Sequence, residues 1–134
     1  MTVRTRDFRE KFDQGVTHFN FGRFFEAHEV WEDLWRLLAG ESKRVMQGLI
    51  QTAVGAHHLQ KGNRHGAQSL FRNALGKFSG APGQFCRVNL RQLQKDLGAA
   101  SALLAADRPL AEIKPPSISR ETPRKRASRK QILR

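Results

Sequence analysis

Gly62-Asn63-Arg64-His65-Gly66-Ala67-Gln68-Ser69-Leu70-Phe71-Arg72-Asn73-Ala74-Leu75-Gly76-Lys77-Phe78 carries the clearest helical signal in the chain. Ala67, Leu70, Phe71, Ala74, Leu75 and Phe78 keep the i, i+3, i+4, i+7 spacing that lines one face of a helix. Asn63 is a good N-cap, and Gly62 just before it is a good stop for a preceding helix. A stop and a start on adjacent residues imply an antiparallel helical hairpin. The preceding helix is expected from a cap at Ser42 to about Lys61.

The same signals recur on both sides. Phe8, Phe12, Val16 and Phe19 predict a first helix from about Asp7 to Phe19, with Thr5 or Asp7 as cap and Asn20 to Gly22 as a turn. Phe24, Ala27, Trp31, Leu34 and Leu38 fall on one face of a second helix, from about Arg23 to Leu38, that Gly40 is placed to end. Ser79-Gly80-Ala81-Pro82-Gly83 breaks the chain. Asn89, with Gln92 three residues on, then resembles a capping box opening a fifth helix on Leu90, Leu93, Leu97, Ala100 and Leu104. No alternating β-branched run competes, so the expected fold is all-α, a compact bundle of about five antiparallel helices.

A chain of 134 residues suits one domain with its own core. Its 24 Lys and Arg against 12 Asp and Glu give a net charge of +12, unevenly spread. Residues 113–134 hold eight Lys or Arg against Glu121 alone, so they carry +7 and residues 1–112 carry +5. With Pro115, Pro116, Ser117, Ser119 and Pro123 and few apolar residues, this segment is expected to be a disordered basic tail beyond a helical domain of residues 1–112. Its Arg124, Lys125, Arg126, Arg129 and Lys130 suit non-specific binding of nucleic acid or another polyanion through counterion release. Sequence-specific reading is not expected, because the aromatics lie in core stripes and do not interleave with the basic residues. Cys86 is the only cysteine, which excludes an intramolecular disulfide and fits a reducing, cytoplasmic compartment. No window is apolar enough to span a membrane, and no apolar leader follows the charged start.

The second helix concentrates the chemistry. Glu26, Glu29, Glu32 and Asp33 are four of the twelve acidic residues, and they share one helix with His28, Trp31 and Trp35. Like charges three or four apart on a helix repel, so either partners or a cation must compensate. On the helical wheel Glu26, Glu29 and Asp33 form one stripe, and His28, Glu32 and Trp35 form another beside the apolar face. The third helix adds Gln47, Gln51 and His58 on one stripe, with His57 at its edge. His28 and Glu32 have the i, i+4 spacing of a metal-binding pair, and His58 from the facing helix would complete a His/Glu/His set for a divalent cation. The competing reading is a hydrogen-bonded network that fixes helix register without a ligand. His28-Glu29-Val30-Trp31-Glu32 lacks the second histidine of a zinc-protease signature. The Glu-x-x-His pair of di-iron bundles is also absent, because Glu32 follows Glu29 at that spacing.

Phe19-Asn20-x-Gly-x-Phe-Phe-Glu-Ala-His-Glu-x-x-Glu-x-x-Trp, then Gln47-Gly48-Leu49-Ile50-Gln51, then Gly62-Asn63-x-x-Gly66-Ala67, resemble the motifs of a small family, domain of unknown function 309. The resemblance covers about residues 8–105. It implies an all-helical fold, brings no established activity, and maps the family's polar motif positions onto Glu26, His28, Glu29, Glu32, Trp35, Gln47, Gln51 and His58. A weaker resemblance is to one tetratricopeptide unit, through Gly55, Ala67, Phe71 and Ala74. A 34-residue shift recovers no second copy, and a repeat array needs about three.

Three functional classes follow. The leading expectation is a non-catalytic module that binds a protein or small ligand. The second is a metal-dependent, hydrolase-like enzyme with His28, Glu32 and His58 as ligands and Glu29 or Glu26 as general base. The third is polyanion binding through the basic tail.

Overall fold

The structure, a computed structural model, describes residues 5–120. These form five α-helices: α1 (Thr5–Asn20), α2 (Phe24–Trp35), α3 (Gly40–Gln60), α4 (Arg64–Phe78) and α5 (Leu90–Ala105). A short antiparallel hairpin, β1 (Gln84–Phe85) and β2 (Val88–Asn89), lies between α4 and α5, and a 3₁₀ turn covers Leu110–Glu112. The main packing runs between helices adjacent in sequence: α1 on α2, α2 on α3, α3 on α4 and α4 on α5.

Local chemistry explains the boundaries. Asn63 and Asn89 cap α4 and α5, their side chains accepting from the backbone N–H of Gly66 at 2.9 Å and of Gln92 at 3.0 Å. The capping box is half-formed, because the Gln92 side chain turns away to donate to Asp96. α2 ends at Trp35, earlier than its apolar pattern predicts, and Gly40 opens α3 at φ +62 instead of closing α2. Ala39 is the α3 N-cap, with no side-chain cap bond from Ser42.

α1–α2 and α3–α4 are built alike. Each first helix ends in a Schellman turn, with Gly22 at φ +80 and Gly62 at φ +81. The closing bonds match: Arg23 N–H to His18 C=O and Asn63 N–H to His58 C=O are both 2.8 Å. Mid-helix, Gly15 lets Trp31 lie against the α1 backbone and Gly55 does the same for Phe71. Ala27 and Ala67, fully buried, follow each glycine at the same distance in sequence. The second copy of the hairpin, not found at 34 residues, therefore lies at a shift of 40. Gln60 of the second unit donates to the carbonyl of Gly22 in the first, fastening α3 to the α1–α2 turn.

The core is continuous through both units. Trp31 is fully buried between Phe12 and Phe19, with centroids 5.9 and 6.1 Å away, and it donates Nε1–H to the Phe12 carbonyl. Leu90, Leu93, Leu97, Ala100 and Leu104 make the buried face of α5, as the spacing predicts. α3 lies between two helices and is buried on more than one side, from Val45 to Leu59.

The tail does not begin at residue 113. Ile113, Pro116 and Ile118 are buried. The Asn20 amide grips Ile118 twice, donating to its C=O and accepting from its N–H, each at 3.0 Å. Asn89 N–H donates to the Ser119 carbonyl, and Arg120 bridges to Val88 while lying 2.9 Å from Asp13. Two isolated isoleucines beside a Pro-Pro pair, whose φ angles are already fixed, suffice to hold a strap that composition alone reads as tail. Arg124, Lys125, Arg126, Arg129 and Lys130 lie outside the described residues. No helix among the described residues is long and apolar enough to cross a membrane.

Candidate functional site

The site is built on the seam between α2 and α3. Two contacts fix their antiparallel register: the Phe25 ring lies 5.7 Å from that of His57, and Lys43 Nζ sits 4.2 Å above the Trp35 ring. Between these points His28 and Glu32 of α2 run past Gln51 and Gln47 of α3, all four half-buried.

His28 Nε2 lies 3.3 Å from Glu32 Oε2, the expected i, i+4 pair. In the tautomer that donates this proton, Nδ1 carries a lone pair. That Nδ1 is buried without a hydrogen-bond partner in the protein, as are Trp35 Nε1 and Gln51 Oε1. Three such atoms on one seam form a concentration, because buried polar groups are ordinarily paired and each unpaired one costs about 1–3 kcal/mol.

The acidic stripe faces outward. Glu26, Glu29 and Asp33 are exposed. Lys11 reaches Asp33 at 3.5 Å, and Arg36 lies 3.3 Å from Asp33 and 3.9 Å from Glu32. A shallow surface cleft is lined by Glu29, Val30, Glu32, Asp33 and Arg36. Local cations compensate the like charges, with solvent screening the remainder.

The proposed His28, Glu32 and His58 metal set is not assembled. The His58 ring packs beneath Gly66, where an added Cβ would stand 2.7 Å from its Cγ, and its Nδ1 is 3.3 Å from Asn63 Nδ2. His58 therefore serves the α3–α4 turn, and its neighbour His57 faces α2. One residue along a helix is a rotation of about 100°, enough to move a side chain to the other side of a helix buried on two. Among the described residues no three His, Cys, Asp or Glu side chains gather as a metal set.

Several contributors were not in the expected constellation. Phe25 stacks obliquely on both His28 and His57, 5.5 and 5.7 Å between centroids, yet stays half exposed; Phe21 beside it is 72% exposed. Their signal was two aromatics off the predicted core face. Lys43 over Trp35 has no local sequence signal, because it depends on the register of two helices.

Residues 12–70, from α1 into α4, match the family described as Domain of unknown function (DUF309). The chain is also similar, at 31% identity over 77 residues, to an uncharacterized protein of Aquifex aeolicus (strain VF5). That match takes in 57% of this chain but only 23% of the relative's length. The family match thus takes in the α2–α3 seam and stops early in α4, short of the residues 8–105 over which the motifs suggest the resemblance.

Proposed function

We propose that this chain, with the DUF309 match running from α1 into the start of α4, is a non-catalytic binding module that receives a peptide segment of a partner protein at the α2–α3 seam. The reading is carried by the three partnerless polar atoms, His28 Nδ1, Trp35 Nε1 and Gln51 Oε1. Each is covered in the free chain, so a ligand reaches it as the side chains over the seam move aside; the indole N–H then asks for an acceptor, and the glutamine oxygen, with the imidazole lone pair of the tautomer that donates to Glu32, asks for donors. Peptide groups offer both. Exposed Phe21 and Phe25 at the α1–α2 turn add apolar surface at one end of the seam, as aromatic anchors do in interfaces. Glu26 and Glu29, exposed beside it, favour a partner with basic residues at its rim. The single thiol of Cys86 fits a cytoplasmic setting for this module.

The test is to pan a displayed random-peptide library against the full chain, then measure selected peptides on Gln51→Leu and Trp35→Phe. Loss of at least about tenfold in affinity, ~1.4 kcal/mol, in either variant is expected. Selected peptides that bind both variants as tightly as the parent would contradict the assignment.

A further inference from the structure

The strap is laid down as a strand is. From Pro115 to Arg120 burial alternates: Pro116 and Ile118 are buried and Arg120 is half-buried, while Pro115, Ser117 and Ser119 are exposed, the two-residue period of an extended segment. The strap runs back along α1, with Ile118 held by Asn20 at the helix end and Arg120 lying 2.9 Å from Asp13, about two turns earlier. Its other side meets β2, where Asn89 N–H donates to the Ser119 carbonyl at 2.9 Å and Arg120 forms an antiparallel bridge with Val88. β1 pairs with the opposite edge of β2, so the strap begins a third strand.

The groove grips mainly peptide backbone. Asn20 donates to the C=O and accepts from the N–H of one residue, Ile118, each at 3.0 Å, and Asn89 N–H takes the next carbonyl. None of these bonds depends on which residue is held. Side chains enter only at alternate positions: apolar at 116 and 118, and a cation at 120, whose guanidinium donates to the Cys86 carbonyl and lies 5.8 Å from the Phe12 ring centroid. Main-chain bonds for affinity and alternate side-chain pockets for specificity are how proteins receive an added strand from a partner. The strap fills this groove imperfectly. Its ion pair is misaligned, leaving Asp13 Oδ1 and Arg120 Nε buried without a hydrogen-bond partner, whereas buried polar atoms are ordinarily paired.

We propose that the groove between α1 and β2 is a docking site for an extended segment of a partner protein, carrying an apolar residue at the Ile118 position and a cation two residues on, and that the strap fills it in cis until such a segment displaces it. Charge and backbone chemistry fix the partner. Asp13 takes its cation, and Asn20 and Asn89 take its peptide groups. A helical segment does not fit, because its N–H and C=O groups are already paired within the helix and offer Asn20 nothing to bind. The strap of a second copy would leave the same two atoms unpaired and so gains nothing over the strap in place. When the strap leaves, Arg120 regains water, and a partner lysine or arginine set in line with Asp13 pairs its Oδ1. This groove is separate from the α2–α3 seam, and the inference does not rest on the reading of that seam.

The test uses the full chain carrying Ile118→Asp, which puts a charge where the groove takes an apolar side chain and so vacates it. The probe is a labelled peptide with the sequence of residues 113–120, its binding followed by anisotropy. Saturable binding is expected, about tenfold or more tighter than to the parent chain, whose groove is filled, and about tenfold weaker once Asn20→Ala removes both bonds to the peptide backbone. The same peptide with Ile118→Asp should not bind. Circular dichroism checks folding, and the milder Ile118→Ser replaces Ile118→Asp if that variant loses its helices. A folded variant that fails to bind the peptide, binds it equally with and without Asn20→Ala, or binds it no better than the parent does overturns the proposal. Unfolding of both Ile118 variants also overturns it, because the strap would then be a fixed part of the core. Sedimentation of the parent chain should give a monomer; a dimer abolished by Asn20→Ala would assign the groove to the strap of a second copy and overturn the partner reading.

Discussion

Gly15→Ala inverts the usual sign of a glycine-to-alanine change in a helix. At an open helical site alanine is favoured by about 1 kcal/mol, since glycine loses more backbone freedom on folding. At Gly15 the added Cβ would lie 2.0 Å from Trp31 Nε1 and 2.6 Å from Cδ1. Trp31 cannot swing clear, because it is fully buried between Phe12 and Phe19 and donates to the Phe12 carbonyl. Overpacking of this kind costs about 1–3 kcal/mol, and losing the indole hydrogen bond costs about 1 kcal/mol more. Against the propensity gain, the net expectation is a loss of about 1–3 kcal/mol. Gly98 in α5 is the control: nothing lies within 4 Å of its added Cβ, so Gly98→Ala should gain about 0.5–1 kcal/mol. Urea unfolding of both variants, followed by circular dichroism, separates them by the midpoint at unchanged m. Gly15→Ala as stable as the parent, or stabilised like Gly98→Ala, would refute the close helix contact and the hairpin equivalence built on it.

Gly55→Ala should repeat that loss in the second hairpin, because its Cβ would stand 2.6 Å from Phe71 Cδ1; a stabilising result by the same assay would break the parallel. Asn20→Ala removes both hydrogen bonds to Ile118 and should cost about 2 kcal/mol, with faster amide exchange at Ile118; unchanged exchange would argue against the strap. Burial raises the Cys86 thiol pKa, outweighing the lowering by Arg120 and Arg9. The folded chain therefore holds this proton more tightly than the unfolded one. The associated stability is complete below the unfolded thiol pKa and is lost as pH rises through the folded value. Cys86→Ser should flatten that alkaline decline in a thermal melt series, and an identical decline would remove Cys86 as its source.

Much of the fold is legible in particular residues. Leu90 to Leu104 on α5, and Ala67, Phe71, Ala74 and Phe78 on α4, bury the face their spacing marks, because each helix has one buried side. α3 was harder to apportion: from Val45 to Leu59 it is buried on more than one side, so periodicity cannot assign His57 to α2 and His58 to α4. The hairpin was invisible because its turn places Cys86 at φ 49 and Arg87 at φ 64, without the Asn-Gly or Asp-Gly pair that usually announces such a turn. The strap was invisible because Ile113 and Ile118 are single apolar residues without period, held by contacts from Asn20 and Asn89. At the site, the i, i+4 pair of His28 and Glu32 could be read locally. The orphaned atoms and Lys43 above Trp35 could not, because they depend on how two helices meet.

The unfolding free energy of Gln51→Leu tests the seam most directly. If the seam is kept polar for a ligand, the free protein carries an unpaired buried oxygen, and replacing it with an apolar side chain of similar size should raise stability by about 1 kcal/mol. A fall of 1 kcal/mol or more would mean that Gln51 already satisfies the fold. The α2–α3 constellation would then be a structural network and not a binding site.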